Sequence, residues 1–298
     1  MTPKYLNKQH EGDTLNKDDK GLEYYLNLTT GYQSSYDEFD IKTTSDGFRI
    51  IDESVHEIGA KARMADYYAS TIEEDEWVYV APRNGYAAIS LSYLASKYKK
   101  RLTLVMPSSK EISNHQALSI QYGAKPLFIR IAAMPNANAA AEKYAKAVGA
   151  KFIPFGLDTE LVYAGAIREF QRLRPLLDGK HLWSVISTGV LSRSLQIALP
   201  QTKITNVAVA RNIQHGELGR ADFISYHRTF TQRADYVPTE FASEQCYDAK
   251  GYDYLRKFGT DGDYFFNVAG NAPLSVLDKS TIDSYRDWRD YRDFNGII

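Results

Sequence analysis

The sequence predicts an α/β fold built on parallel sheet, and three observations predict it. Short runs rich in β-branched and aromatic residues alternate with longer runs whose apolar residues recur every three or four positions. The connections between runs are short, and glycine or proline punctuates most of them. Parallel neighbours need crossovers, and here the crossovers read as helices packed on the sheet faces. The chain of 298 residues can bury an ordinary core and form one to two domains.

The elements follow in order. Residues up to about Tyr36 read as weakly structured, either a solvated arm or a wrap around a partner, and they carry the charged run Lys17-Asp18-Asp19-Lys20. Glu53 to Ser70 reads as a helix on Val55, Ile58, Ala62, Ala65 and Ala69, although Gly59 inside it instead fits a helix start with Lys61 in the first turn. Trp77 to Ala81 is a strand that Pro82-Arg83-Asn84-Gly85 breaks, and Tyr86 to Lys99 is a helix. Leu102 to Met106 is a strand stopped by Pro107, and Ser113 to Tyr122 is a helix closed by Gly123. Pro126 to Ile131 is a strand, Asn136 to Val148 an Ala-rich helix closed by Gly149, and Lys151 to Phe155 a short strand. Glu160 to Leu177 is one long helix. Leu182 to Ser187, Ile204 to Ala210 and Tyr264 to Val268 are strands, and Val190 to Ala198 is a helix.

Composition excludes several function classes. Lys and Arg total 36 against 37 Asp and Glu, so there is no basic excess for nucleic acid. Cys246 is the single cysteine, which rules out an internal disulfide and a Cys-rich zinc site. His10, His56, His115, His181, His215 and His227 form no HExxH pair, so no metal is expected. There is no GxSxG elbow. No leader and no membrane-spanning run is visible, and the expected compartment is the cytoplasm. Tyrosine is abundant, at 22 residues.

Ligands of open α/β sheets bind where strand ends lead into helices. Four such turns carry suggestive chemistry: Arg83-Asn84-Gly85, Ser187-Thr188-Gly189, the loop at Ala210-Arg211-Asn212, and Ala269-Gly270-Asn271. Ser187-Thr188-Gly189-Val190-Leu191 could cradle a phosphate at a helix start, or simply cap that helix. A lysine in a first turn opposes the helix dipole, so Lys61 is either a solvated side chain or is held there for another reason.

Taken together, these turns resemble the fold type II family of pyridoxal phosphate enzymes, nearest to the 1-aminocyclopropane-1-carboxylate deaminase and D-cysteine desulfhydrase branch. Gly59-Ala60-Lys61-Ala62-Arg63 is similar to that branch's Gly-Asn-Lys-x-Arg, and Arg83-Asn84-Gly85 to its Ser-Asn-His turn. Leu102 to Pro107 with Ala117 to Ala124, Tyr247 to Tyr252, and Phe266 to Pro273 resemble further family segments. The resemblance spans roughly Asp52 to Pro273. It implies two domains with open, twisted, mostly parallel sheets and helices on both faces. Residues 51–155 would form mainly the smaller domain and 156–298 mainly the larger, cofactor-phosphate-binding one, with 1–50 packed on the latter.

The resemblance also implies roles. Lys61 would hold pyridoxal 5'-phosphate and act as general base, and Asn84 would meet the ring hydroxyl. Ser187, Thr188, Gly189, Val190 and Leu191 would hold the phosphate, and Tyr247 would be an acid–base or substrate contact. Burial and the neighbouring Arg63 would lower the Lys61 pKa. Arg83 stands where the branch has a serine; it would pair with a substrate carboxylate beside Gly85 and Tyr86. Ala269 stands where a hydroxyl residue commonly meets the pyridine nitrogen, with Asn271 near enough to substitute. The phosphate loop has one glycine where relatives have three or four. The implied activity is a lyase or deaminase on an amino acid or amino-acid-like molecule. The alternatives are a decarboxylase acting on an amino acid attached to a larger carrier such as a modified nucleobase, and a binding protein that kept the fold. A homodimer with a small-molecule substrate, and neither nucleic-acid nor membrane partners, is expected.

Overall fold

The computed structural model describes residues 20–107, 112–129, 133–210, 213 and 218–272. His10, His215, Pro273, most of the Lys17–Lys20 run and the Arg211-Asn212 pair lie outside the described residues. The elements are α1 (Leu22–Leu28), β1 (Ile41–Thr43), β2 (Arg49–Asp52), α2 (Ala60–Thr71), β3 (Glu76–Val80), α3 (Tyr86–Lys97), β4 (Arg101–Pro107) and α4 (Asn114–Gln121). They continue with β5 (Lys125–Ile129), α5 (Met134–Val148), β6 (Lys151–Ile153), α6 (Glu160–Phe170), α7 (Arg174–Leu177), β7 (His181–Ile186), α8 (Val190–Ala198), β8 (Lys203–Ala208), β9 (Asp222–Ser225), α9 (Asp248–Phe258) and β10 (Tyr264–Asn267).

Two compact units result. The larger takes the described residues up to Met64 and Tyr163–Asn271, and the smaller takes Ala65–Val162 with Ala272. Residues 51–64, read from sequence with the smaller domain, cluster with the larger one. The cause is β2, which pairs in parallel with β10 from Arg49↔Tyr264 to Asp52↔Asn267.

The larger unit is a six-stranded sheet of order β1-β2-β10-β7-β8-β9. Among the described residues only the β1–β2 pairing in it is antiparallel. Its core joins Ile50, Trp183, Val185, Val207, Ile224 and Phe265 to Tyr252 and Leu255 of α9. Gly251 lets α9 lie directly on the sheet. A Cβ there would collide with Val185 Cγ2 and come within 2.7 Å of the Phe265 ring. Mid-helix glycine ordinarily weakens a helix by about 1 kcal/mol; here the close approach requires it.

The smaller unit is an all-parallel sheet of order β5-β4-β3-β6. Its strands are near-continuous apolar runs, as expected where helices cover the faces. Val78, Val80 and Val105 pack against Ala137, Ala141 and Tyr144 of α5.

Three local readings need correction. The helix expected from Glu53 begins only at Ala60. Asp52 Oδ1 accepts from Ser54 N (3.0 Å) to cap a short 3-10 turn, and Gly59 adopts a positive φ of 67° before the helix starts. This puts Lys61 in the first turn of α2. The long helix expected over 160–177 breaks after Phe170, because Pro175 lacks an N–H and crowds the carbonyl four residues back. The segment before Tyr36 is no solvated arm over its described part. Tyr25 is buried with its ring 6.4 Å from that of Tyr163, and Arg168 donates to the Thr29 carbonyl.

Candidate active site

Parallel strands of the larger unit end together at Asp52, Ile186, Ala208 and Asn267. The segments that follow these ends bring the sequence-predicted residues of this unit together. Asn267 Nδ2 donates to Asp52 Oδ1 (2.8 Å), and Ser243 Oγ donates to Asn267 Oδ1 (3.0 Å), so three buried side chains pin the strand ends. Lys42 adds an ion pair to Asp52 (2.7 Å), and these contacts hold the Asp52 carboxyl below its ordinary range in spite of burial. Directly beyond, Ala60 N donates to the Val268 carbonyl (2.9 Å). That bond sets the start of α2, and hence Lys61, against the loop that carries Ala269.

Lys61 is half-buried over its whole length, yet its ammonium group lies in a poorly solvated setting. Burial pushes its pKa down to about 8, while the nearby Asp248 carboxylate pulls the other way. Arg63 takes no part in this shift. Its guanidinium is buried on Glu53 (3.0 Å) and Glu169 (3.3 Å) and donates to the Asp37 carbonyl (2.9 Å), so it ties down the N-terminal segment.

Asp248 is the residue that sequence reasoning missed. It opens α9 immediately after Tyr247 and is fully buried. Its Oδ2 accepts from Ala269 N (3.3 Å), and its Oδ1 has no hydrogen-bond partner among the described residues. Burial drives its pKa well above the ordinary carboxyl value against the opposing Val268 and Ala269 N–H groups, and the Glu244 and Asp52 charges add to the rise. A raised carboxyl beside a lowered amine is a pair whose environments move their proton affinities toward each other. The available signal was position: Asp248 directly follows a tyrosine already singled out.

Tyr247 is half-buried. Its hydroxyl lies 3.4 Å from Ser187 Oγ and 3.4 Å from the Val185 carbonyl. Burial raises its pKa, and the Ser187 contact opposes that rise. Ser187 and Thr188 lead into Gly189, whose φ of 89° makes it the N-cap of α8. A Cβ on Gly189 would press on Leu218 Cδ2 at 3.3 Å. The first N–H groups of α8, beginning at Val190 and Leu191, therefore face a loop whose backbone can be approached closely. Asn271 sits differently from the buried groups. It is exposed, its Oδ1 accepts from Gln245 N and its Nδ2 donates to the Ser243 carbonyl, so its amide staples a turn.

In the smaller unit, the turn after β3 carries Arg83, Asn84, Gly85 and Tyr86. Gly85 has a φ of 140° and caps α3, and Arg83 is exposed. Ser113 Oγ, the N-cap of α4, donates to the Arg83 carbonyl and fixes the turn. Tyr86 is buried edge-on against His115, with centroids 5.3 Å apart.

Solved structures share this architecture. An ACC deaminase homologue superposes with a TM-score of 0.73 at 15% identity, covering 85% of this chain and 99% of that one. Threonine deaminase isoform 2 from Solanum lycopersicum gives 0.71 at 13% identity, covering 95% and 98%. A pyridoxal 5'-phosphate-dependent aspartate racemase gives 0.60 at 13% identity, covering 86% and 96%. The fold is that of the fold type II pyridoxal phosphate enzymes. No family model matches the sequence, and no curated protein matches it either. At such identities the kinship is one of fold, and function has to be argued from the site.

Proposed function

We propose that this chain is a pyridoxal 5'-phosphate-dependent enzyme acting on an amino acid or amino-acid-like substrate, as a lyase or deaminase. The observation that carries this reading is the Lys61–Asp248 pair, a half-buried amine with its pKa near 8 beside a buried carboxyl with an unpartnered oxygen. Those residues fit the cofactor. An amine near pKa 8 has a usable neutral fraction at neutral pH, which condensation with an aldehyde needs. The unpartnered Asp248 oxygen supplies the buried polar group that Ala269 lacks. The Gly189 cap and the first turn of α8 fit a phosphate.

When bound, the cofactor supplies the electron sink that lets a bond to the substrate α-carbon break. Each residue then has a task. Lys61 would hold the cofactor and, as an amine with lowered proton affinity, would accept the substrate α-proton. Asp248 would hold up the proton affinity of the Lys61 amine. Ser187, Thr188, Gly189, Val190 and Leu191 grip the phosphate, and Ser187 also steadies the Tyr247 hydroxyl for its substrate contact. Asn84 would orient the ring, and Arg83 would meet a substrate carboxylate. The reading includes a cytoplasmic homodimer that handles a small molecule. Among the described residues no helix is long and apolar enough to cross a membrane.

The test is a visible spectrum of the protein with added cofactor. A yellow protein that loses its band in Lys61→Ala supports the reading, and a colourless protein that takes up no cofactor sinks it. Product analysis then distinguishes reactions: a 2-oxo acid with ammonia marks the lyase or deaminase, and carbon dioxide marks a decarboxylase.

A further inference from the structure

We propose that Arg193 is a phosphate-recognition residue, which supplies by side-chain charge what the single-glycine loop lacks in backbone approach. This rests on the cofactor reading above and goes beyond it. None of the sequence motifs singled out Arg193.

Arg193 stands on the first turn of α8, where its own N–H bonds to the Gly189 carbonyl (2.9 Å). The side chain folds back toward the start of the helix instead of extending into solvent. Its Nε donates to the Tyr163 hydroxyl (2.8 Å), and its Nη2 donates to the Thr188 carbonyl (3.3 Å). The guanidinium lies 5.7 Å from the Tyr163 ring centroid, and Tyr163 is itself packed against the buried Tyr25. The position is therefore held from two sides. It also lies directly beside the cradle: a Cβ built on Gly189 would be 3.6 Å from both Cζ and Nη2.

The electrostatics give this placement meaning. The N-terminus of a helix already carries partial positive charge, so a cation bent toward its own first turn is repelled by it. The Tyr163 hydroxyl and the Thr188 carbonyl are among the groups that hold the guanidinium there, and two positive sources converge on Thr188-Gly189. An anion at that spot meets both the free N–H groups and the guanidinium, and arginine's planar fork suits phosphate oxygens. A loop with three or four glycines surrounds a phosphate with backbone N–H groups; here Gly189 is the one glycine, and the arginine stands next to it.

Phosphate dependence separates this role from simple propping of the loop. The full-length protein, Arg193→Gln and Arg193→Lys are titrated with pyridoxal 5'-phosphate and with pyridoxal, followed by visible absorbance. Loss of a charge-assisted phosphate contact weakens pyridoxal 5'-phosphate binding in Arg193→Gln by about 10- to 100-fold. Pyridoxal binding stays within about 3-fold, because the aldehyde chemistry at Lys61 is untouched. Arg193→Lys recovers part of the loss. Tyr163→Phe provides a second route should Arg193→Gln fold poorly: it removes the Nε anchor, keeps the charge, and lowers the preference for the phosphorylated form in the same direction. An equal fall for both ligands, or no fall, overturns the inference while leaving the cofactor reading standing. A wild-type protein that binds neither ligand overturns both.

Discussion

Two buried aspartates of the larger unit lie at opposite ends of the same parallel strands, and their environments are opposite in kind. Asp263, just before β10, receives His181 Nδ1 (3.1 Å), Trp183 Nε1 (3.0 Å), Thr260 N (3.1 Å) and Thr260 Oγ1 (3.0 Å). Asp248, near the strands' other ends, is met by the backbone N–H groups of Val268 and Ala269, and its Oδ1 has no side-chain donor among the described residues. The first carboxyl is held below its ordinary pKa by these donors, and the second is driven well above it by burial. A protein that can satisfy one aspartate so fully tolerates an unsatisfied one only where the frustration has a use. On the proposed reading, the two ends of one sheet divide labour between holding the fold and doing chemistry.

Substituting the two aspartates tests this division, and Asp263 should show the larger effect on stability. Asp263→Ala leaves a buried indole N–H and an imidazole without their acceptor, and a loss of about 3 kcal/mol is expected in denaturant unfolding. Because the Asp263 pKa is depressed in the folded state, its contribution is present above the ordinary carboxyl range. It is lost as pH falls through the folded value, so the wild type should lose stability on acidification more steeply than Asp263→Ala.

Asp248→Asn should behave inversely. Its stability should match or exceed that of the wild type at neutral pH, since an amide fills the site without a charge to desolvate. The raised pKa of Asp248 means that wild-type stability falls as pH rises above the ordinary carboxyl range, and the asparagine removes that decline. Turnover should drop about 100-fold, in line with loss of a buried catalytic proton site. The Lys61 pKa should move below 8, because the Asp248 charge that holds it up is gone. The pH profile of cofactor uptake reads that shift; an unshifted profile would break the link between the two groups.

The smallest expected effect is that of Ser187→Ala. The lost contact to the Tyr247 hydroxyl is long, at 3.4 Å, and about 1 kcal/mol or less in stability is expected from calorimetric unfolding. A fall in cofactor affinity larger than the fall in stability would place Ser187 on the phosphate side of its two neighbours.

Much of this was legible beforehand, for identifiable reasons. The alternation from Trp77 to Phe155 showed because each strand of the smaller unit is a near-continuous apolar run set off by charged residues, glycine or proline. The turns and helix starts that carry Lys61, Asn84 and Ser187–Leu191 were legible because glycine marks each of them, while their roles remain part of the proposal. Helix α9 was not, since charged residues fall among its buried ones: Asp248, Lys250 and Asp253 are buried beside Ala249, Tyr252 and Leu255, which blurs the apolar period. Gly251 inside it reads as a breaker until the sheet beneath it is seen. Strands β1, β2 and β9 have three or four residues each, too few for a period to appear. Asp248 and Arg193 escaped because burial and side-chain direction come from tertiary packing, which local sequence does not encode.

The bond from Ala60 N to the Val268 carbonyl also bears on how the protein is made. The lysine lies early in the chain, and both that carbonyl and Asp248 come late. During synthesis, Lys61 emerges long before the segments that bury it, and long-range contacts of this kind form last. A nascent or truncated chain therefore carries an ordinary, protonated surface amine with little appetite for aldehydes. On the proposed reading, the Lys61 amine suits an aldehyde only once β10 docks, so synthesis past Val268 has to precede reactivity.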